Sequence, residues 1–255
     1  ADYPQVAMNE HSVYLTLNQL YPDSGWVEGF AETVLWQMDL EDGFTGAENL
    51  STKFWTGFEY EGSKLRYLRP VKTALGPESD TMFFVANRPF VTTNDSFFLI
   101  RTVGDVNVAS SQVDVKLAIT DVPYWHPPYA KQAGNQEFWT NDARCLGAVR
   151  MGKEIQFVGN TLNPENGFAA IYHGIIDDYD NPSVTGNIIS DSEREFGFPN
   201  MDFVGTNEGD KDVAIFFNHT GVSTFAGNSA VYFNSEREYG PVQWIKRGEA
   251  FVNAM

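Results

Sequence analysis

Short apolar stretches separated by turn residues run along most of the chain. Between Thr140 and Ile175 three such stretches follow one another, with tight links at Met151–Lys153 and Asn163–Gly167. Apolar runs of this length, bounded by Gly, Pro, Asn and Asp, are typical of β-strands. With a further run after an acidic turn, the pattern predicts four antiparallel strands, at Arg144–Arg150, Glu154–Asn160, Phe168–Ile175 and Ser183–Ser190.

The same order of elements can be followed three more times along the chain. Each repeat has a short strand near a proline or an arginine, then a turn, an apolar strand, a loop and another apolar strand. The repeats begin near Pro4, Pro70, Arg144 and Pro199. Four antiparallel strands in about 50 residues correspond to one blade of a β-propeller. We therefore predict an all-β fold with little helix, built as a single propeller domain over residues 1–255, with blades at residues 2–62, 63–120, 141–190 and 197–247.

Two segments interrupt this pattern. Residues 41–62 form a predicted polar connection whose aromatic side chains pack on a blade or form its rim. Residues 121–140 hold three prolines, which exclude both helix and central strand, and five aromatic residues around His126. Beside Trp125 on a proline-stiffened loop, His126 can stack on a sugar ring. The alternative is that this loop is a hydrophobic plug.

Composition and charge narrow the functional classes. The 255 residues include 34 acidic and 17 basic ones, for a net charge of −17. Such a surface repels phosphate backbones, so we expect no nucleic-acid partner; it fits solubility, Ca²⁺ binding or a cationic partner. No run reaches the roughly 20 apolar residues of a spanning helix, so no membrane insertion is expected. Cys145 is the one cysteine, which excludes an intrachain disulfide, and its apolar strand predicts an inert core thiol.

Propellers place ligands at the hub, which the first strands of the blades line. Asp142 and Arg144 begin such a strand in the third repeat, and Arg69 lies in that of the second. A carboxylate and a guanidinium that meet there can hold a glycan, or they can form a buried salt bridge that locks the blades together. Paired carboxylates about 5–10 Å apart would instead suit glycoside hydrolysis. The candidates at comparable points of different blades are Asp2, Asp142 and Asp202.

The densest acidic cluster offers the one candidate metal site. Asp177, Asp178 and Asp180 lie within four residues, and Ca²⁺ prefers several oxygen ligands from such loops. The alternative is a plain aspartate-rich turn. No histidine pair has close metal-ligand spacing. Ca²⁺ is therefore the only cofactor that the sequence suggests.

The third and fourth repeats resemble blades of large secreted bacterial propellers, including sialidase-like and other glycan-associated ones. The segments that carry the resemblance are TNDARCLGAVRMGKEIQFVG, GFPNMDFVGTNEGDKDVAIFFNHT and SAVYFN. The Asp-box pattern of sialidases, Ser-x-Asp-x-Gly-x-x-Trp, is not matched; the nearest approach runs from Ser235 to Trp244 and differs in residue type and spacing. The resemblance thus implies a fold and a location outside the cell or on its surface.

Three hypotheses follow for function. The preferred one is a binding or structural module of a larger secreted protein or assembly, with glycans as ligands. The second is a secreted glycoside hydrolase, and the third is a subunit of an extracellular filament or shell that pairs by open strand edges. Four blades either close into a ring by themselves or form part of a larger ring, and the abrupt ends of the chain favour a ring that is completed by another chain or by more of the same polypeptide.

Overall fold

The computed structural model describes residues 1–25, 28–76, 81–134 and 136–252. Within these residues the protein is all-β, and its one helix, α1 (Leu40–Thr45), is six residues long. The Asp39 carboxylate accepts a hydrogen bond from the Asp42 amide at the start of α1, and Gly46 ends it with φ 69°. The predicted all-β class and the predicted scarcity of helix are confirmed.

The first half of the chain forms two antiparallel sheets and a small hairpin. The first sheet consists of β1 (Asp2–Met8), β2 (Ser12–Leu20), β3 (Phe30–Asp39) and β4 (Thr52–Trp55), in the order β1-β2-β3-β4. The hairpin consists of β5 (Glu59–Tyr60) and β6 (Ser63–Lys64). The second sheet has the order β11-β10-β9-β7. Its strands are β7 (Arg66–Pro70), β9 (Thr81–Asn87), β10 (Thr93–Val103) and β11 (Gln112–Trp125). The short β8 (Lys72–Thr73) follows β7 in sequence but is not part of this sheet.

The second half of the chain begins with a short hairpin of β12 (Ala130–Gln132) and β13 (Gln136–Phe138). It then forms two more antiparallel sheets. The third sheet orders its strands β17-β16-β15-β14, and the fourth β18-β19-β20-β21. The third comprises β14 (Cys145–Met151), β15 (Glu154–Leu162), β16 (Ala169–Ile176) and β17 (Thr185–Ile189). The fourth comprises β18 (Glu195–Phe203), β19 (Val213–Gly221), β20 (Thr224–Phe233) and β21 (Gln243–Lys246).

Three of the four sheets begin with a strand that has the same backbone irregularity. Tyr3 in β1, Tyr67 in β7 and Phe198 in β18 have φ of 54°, 56° and 52°. A positive φ is uncommon for a bulky residue and requires support from its surroundings. The pairing register shifts at each of these points, as at a β-bulge, which bends a strand and re-aims the side chains that follow.

The contacts divide the chain into two compact units. The first unit comprises Ala1–Asn87 and Phe97–Ala118, and the second comprises Arg88–Ser96 and Ile119–Met255. The core of the first unit consists mainly of buried aromatic and aliphatic side chains: Tyr14, Leu35, Phe58, Leu65, Leu68, Met82, Phe84, Ala86, Phe98 and Ile100. The prediction of one propeller domain stays a prediction.

In the second unit the third and fourth sheets pack together through β14 and β18. Gly147 allows this approach, because a Cβ there would lie 2.8 Å from the Met201 amide nitrogen. The ring of His173 on β16 packs against Phe233 and Tyr239, with centroids 4.9 and 5.8 Å apart. Cys145 is buried.

The two segments expected to interrupt the pattern differ from prediction. Residues 41–62 were predicted as a connection, but they contain β4, and residues 121–125 were predicted to interrupt the strands, although β11 runs through Pro123 to Trp125. The exclusion of a central strand stands, because β11 is at the edge of its sheet, where a residue without an N–H leaves no ladder bond unmade.

Candidate functional site

A cavity of about 280 Å³ opens beside the first strands of the first two sheets, inside the first unit. The described residues that line it come from β1, from β7 to β9 and from the segment between: Gln5, Val6, Ala7, Met8, Arg69, Pro70, Lys72, Thr73, Gly76 and Met82. The bulges at Tyr3 and Tyr67 precede Gln5 and Arg69 by two residues each. The two tyrosine rings meet edge to face, 5.0 Å between centroids, and hold the bulged strands side by side.

Arg69 is the central polar group of the cavity. Its Nη1 donates a 2.5 Å hydrogen bond to Oε1 of Gln5. Its Nε is buried and has no acceptor within the part of the chain that the structure describes. A buried donor without an acceptor costs about 1–3 kcal/mol, and more when the group is charged. Arg69 therefore offers an N–H group for which the described residues of this unit supply no acceptor.

The lining is basic in a strongly acidic protein. Arg69 and Lys72 both line the cavity, and none of its described lining residues carries a carboxylate. The whole chain has two acidic residues for each basic one, 34 against 17. A concave surface with low-dielectric walls and charges of one sign focuses its field on an oppositely charged ligand. The geometry suits a small anion or an anionic group of a larger molecule.

Asp142 and Arg144, predicted as a hub pair, meet in the second unit. Arg144 donates from Nε to Oδ1 of Asp142 over 2.8 Å and from Nη2 to Oδ2 over 2.6 Å. Both side chains are buried, with residue exposures of 3% for Asp142 and 6% for Arg144. Both oxygens of the Asp142 carboxylate therefore accept from the guanidinium of Arg144. This geometry fits the buried salt bridge that the sequence suggested as the alternative to a glycan site.

The three candidate catalytic carboxylates are in different settings. Asp2 is half-buried in β1 of the first unit, and Asp142 is buried in the second. Asp202 is exposed in β18, where its Oδ1 accepts from the Phe203 amide over 3.1 Å. Asp142 and Asp202 share a unit, but no described contact brings their carboxylates together. Their role in catalysis stays a hypothesis.

The aromatic segment lies in the second unit. Trp125 is half-buried at the end of β11, and its amide donates to Oγ1 of Thr161 over 3.0 Å. His126 is exposed, with its amide bonded to the Thr92 carbonyl over 3.1 Å. The ring Nδ1 of His126 lies 3.0 Å from the Pro127 carbonyl. The sugar-stacking role of Trp125 and His126 stays a prediction.

The predicted calcium ligands are each paired with a basic side chain. Arg237 bonds to Asp177, while Lys153 lies 3.7 Å from Asp178 and 2.8 Å from Asp180. The aspartate cluster also folds on itself, since the Asp180 amide donates to Oδ1 of Asp178 over 3.0 Å. Among the described residues no group of three acidic, histidine or cysteine side chains is placed to hold a metal ion.

A buried polar chain in the second unit was not anticipated. Glu154 is 2% exposed and accepts from Lys211 over 2.6 Å and from Arg237 over 3.1 Å. Gln156 donates to Glu154 over 2.8 Å and lies 3.1 Å from Nε2 of His173. Burial, with a smaller contribution from Arg237, lowers the pKa of His173 to about 3. The sequence pattern did not reveal this network, because its members come from β15, β16 and two separate loops.

Part of the cavity was predictable from the sequence. Arg69 was singled out as a residue of a first strand, and the repeats were seen to begin at Pro4 and Pro70. Gln5 and Lys72 were missed, since a glutamine and an exposed lysine carry no signal until the bulges place them beside Arg69. The bulges could have been anticipated from an aromatic residue directly before proline, which occurs at Tyr3-Pro4 and at Phe198-Pro199.

No protein-family model matches the chain, and no curated protein sequence matches it. Among solved structures, the chain is similar to a glycosyl hydrolase from Bacteroides ovatus at 10% sequence identity. The similarity covers 92% of this chain and 84% of that one, with a TM-score of 0.26. A TM-score this low does not show a common fold, and the likeness says nothing about the chemistry of this chain. No helix of the described part is long and apolar enough to cross a membrane.

Proposed function

We propose that the protein is a carbohydrate-binding module whose cavity at Arg69 takes a saccharide that carries a carboxylate. The observation that carries the proposal is the Arg69 guanidinium, whose buried Nε has no acceptor in the described part of the chain. Arg is suited to planar carboxylates because its N–H groups form a fork that can bind two oxygens at once. An anionic ligand would supply the negative charge that the described lining of the cavity lacks.

The other lining groups fit the neutral part of such a ligand. Gln5 and Thr73 supply an amide and a hydroxyl for hydrogen bonds to sugar hydroxyls, and Met8 and Met82 supply apolar surface for the ring carbons. At about 280 Å³ the cavity is at the lower end of ligand pockets. We infer recognition of one sugar residue, at a chain end or as a side branch.

The positions and hydrogen bonds of the described carboxylates favour a binding function over glycoside hydrolysis. A glycosidase needs one carboxylic acid and one carboxylate on opposite sides of the scissile bond. The Asp142 carboxylate is occupied by Arg144 on both oxygens, and the described lining of the cavity contains no acidic group. The described residues around Arg69 can hold a sugar acid but include no carboxylic acid to protonate a leaving group.

We infer that the four sheets are propeller blades, and two features support this. The first strands β1 and β7 are in contact in the first unit, and the first strands β14 and β18 are in contact in the second. Hub strands of neighbouring blades would meet in this way. The bulges at Tyr3, Tyr67 and Phe198 recur at equivalent points of three sheets, as expected for repeated blades. A module of this kind fits a secreted or cell-surface protein that joins a larger assembly.

A glycan array with matched pairs tests the proposal. Each pair consists of one saccharide with a uronic or sialic acid residue and its neutral counterpart, so that only the carboxylate differs. We expect retention of the acidic members and, by calorimetry on a retained saccharide, at least about tenfold weaker binding for Arg69→Gln, since one lost charge-assisted hydrogen bond is worth about 1.5–3 kcal/mol.

Lys53→Gln is the control, because it removes one positive charge from the same unit outside the cavity, where Lys53 Nζ lies 4.5 Å from the Trp55 ring centroid. Its affinity should match the unaltered protein. An array with no preference for acidic saccharides, or equal affinities for the Arg69 and Lys53 variants, would overturn the proposal. Far-ultraviolet circular dichroism of each variant excludes misfolding as the cause of a loss.

A further inference from the structure

The first sheet has two faces of opposite character. One face turns toward the core of the first unit and includes Tyr14, Leu35 and Gln37, with cross-strand pairs such as Tyr14 opposite Gln37. The opposite face, here called the apolar face, is formed by the alternate residues of all four strands: Val6, Met8, Val13, Leu15, Leu17, Val34, Trp36, Met38, Thr52 and Phe54. Nine of these ten residues are apolar and none is charged; the same side of the sheet ends in the polar pair of Gln19 and Glu32.

This apolar face is incompletely covered by the rest of the chain. The side chains at its two edges are the most open, with exposures of 67% for Val6, 54% for Met8 and 56% for Phe54. Val13, Leu15, Leu17, Trp36 and Met38 are half-buried. In a monomer an apolar face of this extent is unusual, because sheets with one solvated face carry polar residues on it.

The apolar face continues into a groove beside α1. The groove has a volume of about 280 Å³ and is lined by Val13 and Met38 of the apolar face, together with Asp39, Leu40, Gly43, Phe44 and Leu50. Phe44 is 83% exposed and Leu50 46%. A side chain from outside the chain can enter this groove, since its walls are hydrophobic and its rim is in water.

One buried polar atom beneath the apolar face also lacks a partner. The indole Nε1 of Trp36 is buried and has no hydrogen-bond acceptor within the described ranges. The Trp36 ring packs against Phe54 with centroids 5.4 Å apart. An unmade hydrogen bond of this kind costs about 1–3 kcal/mol.

We propose that the apolar face is the contact surface of a homodimer, in which a second copy of the chain packs the same face against it as a two-sheet sandwich. Two apolar sheets pack about 10 Å apart, and a twofold axis makes one patch serve both copies. The absence of charge on the ten residues of the apolar face lets two molecules of net charge −17 meet there without a buried like-charge pair.

The area of the apolar face determines the affinity that we expect for the dimer. Four strands about 4.8 Å apart, each contributing about four to six residues at about 3.3 Å, project an area on the order of 300 Å² per copy. The groove beside α1 adds to this. Such an interface is smaller than the roughly 800 Å² per partner of standard ones, so we expect a weak, transient dimer with a dissociation constant of about 10–100 µM.

The salt dependence of association distinguishes a second copy of the chain from a cationic partner. Two copies of an acidic chain repel each other, so screening should strengthen the dimer as salt is raised. A basic protein held by the acidic surface would bind more weakly under the same change. Sedimentation equilibrium from about 1 to about 200 µM protein, at about 20 and about 300 mM NaCl, measures the effect directly.

We expect the mass to rise from 28.6 kDa toward twice that value with concentration, and to do so at lower concentration in high salt. Phe54→Glu and Phe44→Ser should each weaken the dimer at least tenfold. Phe216→Glu is the control, because Phe216 is an exposed aromatic residue on β19 of the second unit. Circular dichroism and urea unfolding confirm that the variants are folded.

A monomer at every concentration and salt level would overturn the proposal. So would a dimer that tolerates Phe54→Glu and Phe44→Ser, or a chain that binds neutral phosphatidylcholine vesicles through these residues instead of a second copy. Val6 and Met8 belong to both surfaces, but the substitutions at Phe54 and Phe44 leave the lining of the Arg69 cavity unchanged. Saccharide binding measured on the monomeric variants therefore separates failure of the dimer from failure of saccharide binding.

Discussion

His173 shows how one buried side chain links packing to pH. Gln156 donates through its amide to Glu154 and to the Lys211 carbonyl, which leaves its Oε1 as an acceptor for Nε2–H of His173. Nδ1 of His173 then accepts from the Tyr239 hydroxyl, 2.6 Å away. The neutral imidazole therefore satisfies both neighbours, and burial holds its pKa at about 3.

This linkage predicts a loss of stability in acid. In the unfolded chain the imidazole takes up a proton as the pH falls through about 6.5, whereas in the folded protein it stays neutral down to about 3. The unfolded state thus binds more protons between these values, and the free energy of unfolding falls as the pH is lowered, by on the order of a few kcal/mol. His173→Gln removes this proton uptake.

Urea unfolding at several pH values between about 7 and about 4 measures the slope. We expect His173→Gln to be less stable near neutral pH but to lose less stability on acidification than the unaltered chain. Part of the slope should remain, because burial and two nearby arginines also lower the pKa of His219, to about 4. An unchanged slope in the variant would contradict the assignment.

At the level of strands, the sequence predicted best where the apolar runs are longest. All four strands of the third sheet were predicted, because short apolar runs bounded by Gly, Pro, Asn and Asp favour strands over helix. β4 was missed because Thr52–Trp55 is short and sits in polar surroundings. The end of β11 was missed because its position at a sheet edge, which permits Pro123, is a property of the assembled sheet.

Alternation in β2 predicted two faces but not which one turns inward. Val13, Leu15 and Leu17 share a face, as predicted, yet they are the half-buried side, while Tyr14 and Thr16 are buried. Buried polar groups on this strand are satisfied across the unit, as when Gln37 donates to the Tyr14 hydroxyl over 3.1 Å. Such partners come from distant parts of the chain, so local periodicity does not reveal them.

Close packing within the third sheet gives a prediction at the same scale. Gly174 on β16 pairs directly with Phe157 on β15, and a Cβ at Gly174 would lie 2.2 Å from the Phe157 ring. Gly174→Ala must displace a buried ring, which should cost about 1–3 kcal/mol in the free energy of unfolding. The double variant Gly174→Ala/Phe157→Leu should lose less than the sum of the two single changes, since the smaller side chain relieves the overlap.

Gly43→Ala is the matched control for this substitution. Gly43 lies in α1, and a Cβ there meets no atom within 4 Å. Alanine is the better helix former by about 1 kcal/mol, so this variant should unfold at the same or higher urea concentration. Equal losses for the alanines at positions 43 and 174 would show that the overlap at Phe157 is not the cause.

For the whole molecule, the net charge of −17 is the dominant long-range term. Repulsion among like charges disfavours the compact state, and mobile ions screen it within about 10 Å at 0.1 M ionic strength. Added salt should therefore raise the midpoint of unfolding. The aspartates of the 177–180 cluster are each held by Arg237 or Lys153, so a cation has to displace these side chains before it can bind there.

This competition makes the calcium hypothesis testable. We expect about 1 mM CaCl₂ and about 1 mM MgCl₂ to raise the unfolding midpoint equally, because screening depends on valence and not on the identity of the ion. A specific calcium site would instead stabilise by an amount that grows with the ratio of ligand to dissociation constant. It would also be lost in Asp178→Asn, because Ca²⁺ needs several oxygen ligands in one loop. A larger effect of Ca²⁺ that disappears in this variant would mean that the aspartates exchange their basic partners for the ion, and that the acidic turn is a binding site after all.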